Sequence, residues 1–358
     1  VDQDVLKVLY ESVIGTETRK RLGEYYTPDW LAELVVDQVV TAPLSQRVLD
    51  PACGSGTFLF HSIRSYLAAA AAAGIPVPDR LRGVTRSVLG MDLHPVAVTL
   101  ARVTYILAIG RELLTHAERG ILFIPVYLGD SVQWSDQSTN LWNAGSLVIP
   151  VDDDVELFAS ELRFPDQLLE HAEMFDDLVE GMADAAARRR PGDRVPSLAA
   201  LFQRLGVPTA THDVLNATFR TMCTLHDDGR NHIWSYFVRN LARPLWLARA
   251  PNRVDVLVGN PPWLAFRHMP DDMQRTFRAM SEERGLWHGA ENATHQDLSA
   301  LFVVRAVELY LRDGGTFGLV MPNAVVDRDH YAGFRSGDYV ARASNTHIAF
   351  TQPWDLRR

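Results

Sequence analysis

Lysine is almost missing: Lys7 and Lys20 are the only two in 358 residues, so nearly all positive charge is guanidinium. That chemistry suits bidentate contacts with phosphate. Cysteine is equally scarce. Cys53 and Cys223 cannot build a disulfide framework or a four-sulfur zinc site, and this usage points to a reducing cytoplasm. Long apolar runs are lacking too. The blandest stretch, residues 66–73, is mostly Ala and stops at Gly74 and Pro76, whereas a bilayer span needs roughly 20 apolar residues. No membrane partner is therefore expected, and no cleavable signal pattern opens the chain. The twelve histidines show no His-Glu-x-x-His or comparable ligand spacing, so no metal site is expected either. Internal repeats are absent.

What is present describes an ordinary globular protein, 47% hydrophobic and 22% charged, long enough for one large or two modest domains. The formal charge of −9 argues at first against nucleic acid as a partner. Its distribution reverses that argument. Residues 151–185 hold 12 acidic residues and one basic residue, Arg163, which leaves the remainder at +2. The acidic block reads as a solvent face and Arg188-Arg189-Arg190 as a solvated loop. The rest of the chain tolerates a phosphate backbone.

Along the chain, residues 1–22 have the apolar spacing of an amphipathic helix, with Val5, Leu6, Leu9 and Val13 on one side. Thr27 reads as an N-cap and Pro28 as a first-turn proline for a helix over residues 29–40. A strand at 47–50 then enters Asp50-Pro51-Ala52-Cys53-Gly54-Ser55-Gly56, followed by an Ala-rich helix to about residue 73. A strand at 87–92, a helix from Pro95 to about Gly110, and an apolar run at 121–128 continue the alternation. Strands and helices at this spacing make βαβ units around a parallel sheet. The pattern lapses over residues 131–253, where 157–181, 198–205 and 231–247 read as helical and 187–196 as an exposed linker. It resumes with a strand at 254–259, an irregular charged stretch, a helix over 297–311, a strand at 316–321 and a last apolar fragment at 347–350. The domains implied are an N-terminal helical segment (1–45), two halves of an α/β core (46–134 and 251–358) and a large helical insertion (135–250).

Three turns carry chemistry. Glycines between the first strand and its helix let backbone approach a ligand closely. The spacing matches neither the dinucleotide fingerprint nor a P-loop, so the turn suits a nucleoside with an amino-acid tail, Asp50 accepting from an ammonium. Asp92 ends the second strand, where an acid either holds ribose hydroxyls or caps the next helix; Asp130, after the third, has the same ambiguity, its functional reading being acceptance from an adenine amino group. Asn260-Pro261-Pro262-Trp263 is the most specific element. Two prolines stiffen a backbone that presents carbonyls, Asn adds a side-chain carbonyl, and Trp adds a broad π face. Together they hold a planar ring and accept two hydrogen bonds from its exocyclic amine.

The order Gly23-Glu24-Tyr25-Tyr26-Thr27-Pro28, then Asp50 to Gly56, then Asn260 to Trp263, resembles the N6-adenine DNA methyltransferases. It is most similar to the gamma-order group found in fused restriction–modification and phage-defence proteins. The resemblance covers roughly residues 15–134 and 250–330. It implies a Rossmann-like, doubly wound, mainly parallel sheet, S-adenosylmethionine as cofactor, and a flipped adenine in double-stranded DNA as substrate. It further implies that Tyr26, Thr27 and Pro28 touch the methionine end of the cofactor, and that Asp50, Ala52, Gly54 and Gly56 line it. Asp92 would then hold the ribose and Asp130 the adenine. Asn260 and Pro261 would accept from the target amine, with Pro262 stiffening the turn and Trp263 stacking on the base. The family usually has Tyr or Phe at the last place, so Trp bears on pocket size. Partner subunits, a fused nuclease and a recognition domain are expected outside this chain, which reads as a piece of a longer protein. The inserting strand of the family's terminal hairpin is expected to be absent, leaving the edge of 316–321 unpaired and residues after about 327 poorly packed. Glutamine methylation of protein uses a similar Asn-Pro-Pro-aromatic grip, and a non-catalytic binding subunit is a third reading. The Tyr-Tyr-Thr-Pro element and the insertion speak against the former, and the intact Asp50, Asn260 and aromatic at 263 against the latter.

Overall fold

The computed structural model describes residues 27–120, 122–133, 146–150, 161–170, 172–228, 242–289, 296–341, 344–351 and 354. In chain order the strands are β1 (Val48–Asp50), β2 (Val88–Asp92), β3 (Val126–Leu128), β4 (Ser146–Pro150), β5 (Glu161–Pro165), β6 (Val254–Gly259), β7 (Leu311–Leu319), β8 (Asp338–Ala341) and β9 (Ser344–His347). The longer helices are α1 (Asp29–Val39), α2 (Thr57–Ala72), α3 (Val77–Ser87), α4 (Pro95–Ile109), α5 (Ala172–Ala187), α6 (Ala199–Leu205), α7 (His212–Asp227), α8 (Asp271–Glu283) and α9 (Leu298–Tyr310). They form two compact units, Val1–Trp134 with Leu247–Arg358, and Ser135–Trp246.

The first unit is built on a five-stranded sheet of order β3-β2-β1-β6-β7, every pair parallel. Its central strands are buried throughout, as a parallel sheet covered on both faces requires, and Val-Asp-Val-Leu-Val in β6 accordingly reads as a nearly continuous apolar run. Helix α2 buries Phe58, Leu59, Ile63, Tyr66, Leu67 and Ala70, a helical repeat, and with α3 and α4 it makes one core over Val88 and Val126. Helix α1 buries Leu31, Ala32, Val35 and Val36 against Val48, Phe58, Val256 and Val258. β1 lies between β2, which follows it, and β6, so the chain reverses its direction of winding there. In open α/β sheets ligands bind at this reversal, outside the carboxyl ends of the strands. No described helix is long and apolar enough to cross a membrane.

Several expectations change. The second unit is not wholly helical: β4 and β5 form an antiparallel pair, and β5 with a short 3-10 turn (Asp166–Glu170) occupies the start of the region expected to be helix. Leu147 and Ile149, then Leu162 and Phe164, alternate with their neighbours, and this period of two buries them against Phe175, Leu178, Met182, Leu215 and Phe219. Arg189 is not solvated; its side chain is buried against Asp227 and donates to the Cys223 carbonyl at 2.9 Å. Within the acidic block, Asp176 pairs with the buried Arg243. The charged stretch after Trp263 contains α8, whose buried Phe277 and Ser281 sit one helical turn apart. β7 begins earlier than expected, directly from α9, with a register shift where Val254 faces Leu311 and Val256 faces Thr316. Residues after 327 pack well: Tyr331, Phe334, Tyr339 and Ile348 are buried, and β8 and β9 pair with each other, outside the main sheet. Residues 1–26 and 229–241 lie outside the described residues, with Tyr26 and most of the helix expected over 231–247.

Candidate functional site

The carboxyl ends of β1, β2, β3 and β6 carry the residues singled out by sequence. Asp50 closes β1 and is buried; its Oδ1 accepts from the Ala52 N–H at 3.1 Å. Its Oδ2 is also buried and has no hydrogen-bond partner among the described residues. Burial pushes the Asp50 carboxyl well above the usual carboxylate range; the Ala52 N–H opposes this and the nearby Asp92 charge adds to it. The turn beyond it is fixed from both ends, Cys53 N donating to the Met91 carbonyl at 2.9 Å and Thr104 Oγ1 to the Ser55 carbonyl at 2.6 Å. Gly56, at φ +93°, packs so tightly on Ala101 that a Cβ there would lie 3.1 Å from its Cα. Gly54, at φ +53°, has nothing within 4 Å of the corresponding point, so its backbone is open to a ligand. The Cys53 thiol is buried and pushed up by desolvation, which makes it a filler and not a nucleophile.

Asp92 does more than end β2. Its Oδ2 accepts from Gly54 N at 2.9 Å and its Oδ1 from His94 N at 2.8 Å, so it ties the first turn to the second. Asp130 likewise folds its own loop, accepting from Val132 N at 3.0 Å. The next residue, Ser131, donates from Oγ to the Pro51 carbonyl, which joins the third turn to the first. Leu93, exposed between Asp92 and His94, adds an apolar surface that the sequence reading did not single out. Its only signal was a large apolar side chain beside an acidic strand end.

At the end of β6, Gly259 adopts φ +148°, and a Cβ there would meet Asp50 Oδ1 at 2.6 Å. This brings the Asn260 turn against the Asp50 turn. Asn260 Nδ2 donates to Thr27 Oγ1 at 3.1 Å, which assigns Oδ1, itself a buried atom, as the acceptor end of the amide. Thr27 is buried and does not cap α1; Pro28 holds the N-cap position, its carbonyl accepting from Leu31 N and Ala32 N. The Thr27 hydroxyl is committed to Asn260 instead. Pro261 is buried, while Pro262 and Trp263 are half-buried. The stretch beyond is held by Leu298 N donating to the Leu264 carbonyl at 3.0 Å.

These contacts connect Thr27, Asp50, Ala52, Gly54, Asp92, Asp130 and Asn260 across five segments of the first unit. A buried carboxylate oxygen awaiting a donor, beside glycines that clear space for backbone approach, fits the cationic amino-acid tail of S-adenosylmethionine. An amide oxygen and a proline carbonyl at the neighbouring turn fit a planar amine. The arrangement is therefore able to hold a methyl donor next to an aromatic amine.

Comparison with known proteins agrees with this chemistry. The N-6 DNA Methylase family model matches residues 1–111, and the Eco57I restriction-modification methylase model matches residues 86–347, most of the chain. The adenine-specific methyltransferase PglX of Streptomyces coelicolor is 28% identical over 179 residues, 46% of this chain and 14% of that protein. Among solved structures, the ATP-dependent Type ISP restriction-modification enzyme LlaBIII bound to DNA aligns over 93% of this chain and 17% of its own. Its 15% identity and TM-score of 0.52 make that a likeness of fold. The chain spans a small fraction of the length of these relatives.

Proposed function

The chain belongs to the Eco57I restriction-modification methylase family, and from that premise we propose that it is the methyl-transferring core of a site-specific DNA methyltransferase acting on N6 of adenine. S-adenosylmethionine, when bound, supplies a methyl group made electrophilic by the sulfonium. Asp50 Oδ2 accepts from the ammonium of its amino-acid tail, and Thr27 and Pro28 lie toward the same end. Ala52, Gly54 and Gly56 let backbone approach the nucleoside, Asp92 faces the ribose, and Asp130 and Leu93 face the adenine.

The target's N6 lone pair is delocalised into the ring and is a weak nucleophile. Asn260 Oδ1 and the Pro261 carbonyl, accepting its two hydrogens, would pull the nitrogen toward tetrahedral geometry and direct its lone pair to the methyl, which would leave its sulfur as the N–C bond forms, the N6 proton then passing to solvent. Pro262 stiffens that turn, and Trp263 stacks on the extruded base, offsetting part of the few kcal/mol that flipping costs. Catalysis then comes from positioning and electrostatics, with no covalent enzyme intermediate. The observation that carries this reading is the Thr27–Asn260 hydrogen bond, which takes up the amide nitrogen and so sets the buried amide oxygen as the acceptor beside the Asp50 turn.

The test is to incubate the full-length protein with methyl-labelled S-adenosylmethionine and unmethylated duplex DNA, then digest to nucleosides. Label in N6-methyldeoxyadenosine is expected. Label confined to glutamine of a protein substrate, or to no acceptor, would refute the proposal.

A further inference from the structure

The loop after β3 is pinned by groups outside the turns described above. From α9, Tyr310 Oη donates to the Ser131 carbonyl at 2.9 Å, and Arg305 Nε donates to the Val132 carbonyl at 3.2 Å. Gln133 Nε2 donates to Tyr310 Oη at 3.3 Å, from a residue held at φ +52°, the one positive φ outside glycine among the described residues. Arg305 is itself oriented by Glu308, which accepts Arg305 Nη1 at 2.9 Å and Arg284 Nε at 2.8 Å. The Glu308 and Arg284 side chains are 2% and 6% exposed. Burial pushes the Tyr310 phenol far up, so it stays an O–H donor at any working pH.

A buried Arg–Glu–Arg cluster contributes little stability beyond what apolar side chains of the same volume would supply, so geometry is the better account of its presence. Here the cluster ends, through Arg305, on the Val132 carbonyl, next to the Ser131 carbonyl that Tyr310 binds, in the loop whose Val132 N–H holds the Asp130 carboxylate. We propose that Arg305 and Tyr310 are positioning residues for cofactor recognition, setting Asp130 against the amino group of the cofactor's adenine. This rests on the role proposed above for Asp130.

The test uses the whole chain and two probes: S-adenosylhomocysteine, and its hypoxanthine counterpart, in which an oxo group replaces the adenine amine. Dissociation constants are measured by calorimetry for wild type, Tyr310→Phe, Arg305→Lys and Asp130→Asn, beside the thermal midpoint without ligand. Wild type should prefer the adenine ligand, and Tyr310→Phe and Arg305→Lys should each lose about tenfold of that preference with the midpoint nearly unchanged. Arg305→Lys keeps a charge beside Glu308 and serves if Tyr310→Phe folds poorly. If both variants keep the preference, or weaken both ligands equally, while Asp130→Asn removes it, the positioning role is overturned. If Asp130→Asn also keeps it, the reading of Asp130 fails and the proposal with it.

Discussion

A carboxylate buried as Asp50 is, with one oxygen satisfied by the Ala52 N–H and the other by no described group, is unfavourable when ionised. Its pKa in the folded, unliganded protein lies above the unfolded value. The neutral form therefore stabilises the fold below the unfolded pKa, and that contribution disappears as the pH rises through the raised folded value. An ammonium at Oδ2 pulls the pKa back down, so cofactor binding should release a proton within that window and tighten as the pH rises across it. Calorimetry in buffers of different ionisation enthalpy measures the release; Asp50→Asn should abolish it, and pH-independent binding by wild type would contradict the assignment. Gly259→Ala places a Cβ 2.6 Å from Asp50 Oδ1 at φ +148°, and should lower stability by on the order of 1–3 kcal/mol in denaturant titration while weakening cofactor binding. Residue types at this site were legible in the sequence because their chemistry is local to each turn. The Thr27–Asn260 bond was not, since its partners are 233 positions apart and a threonine before Pro-Asp reads equally well as a helix cap.

Among the elements, the strands of the sheet and the helices that follow them were legible because each combines an apolar run with a helical repeat. The β4–β5 pair was missed where a period of two gives way to a period of 3.6 within a few residues, after Pro165. α8 was missed because only one turn of its surface is apolar and its remaining positions are charged. In the hairpin β8–β9, Tyr339 is buried with its ring 6.3 Å from that of Phe334, aromatic packing that the expectation of a poorly packed end passed over. Two predictions belong to this scale. Asp92→Ala removes an acceptor from two backbone N–H groups, so stability should fall by about 1.5–3 kcal/mol together with cofactor affinity, and unchanged stability would mean that the turns hold without it. Glu308→Ala leaves the buried Arg284, with only Glu283 beside it, and the partly buried Arg305 without their shared carboxylate, and should cost about 3–5 kcal/mol in chemical unfolding. A loss below about 1 kcal/mol would show the cluster relaxing into solvent.

As a whole molecule the chain has two units with separate cores, and all the described site residues belong to the first. A ligand that binds only the folded first unit stabilises it by about 2.7 kcal/mol at a hundredfold excess over its dissociation constant. Hydrogen exchange with S-adenosylhomocysteine should therefore slow in β1, β2, β6 and α2 and leave the β4–β5 pair and α7 unaffected; equal protection of both units would mean that they unfold together. The acidity concentrated at residues 151–185 keeps the near-neutral balance of the rest from showing in the total charge, which is why net charge argues against nucleic acid where its distribution does not. The central claim, that Asn260 acts on the target amine and not on the cofactor, is tested most directly by comparing Asn260→Ala with wild type in the full-length protein. Two quantities are read side by side: N6-methyladenine in DNA, and the S-adenosylmethionine dissociation constant. Loss of methylation with cofactor affinity nearly intact is predicted; undiminished methylation, or equal loss of both, would contradict the account.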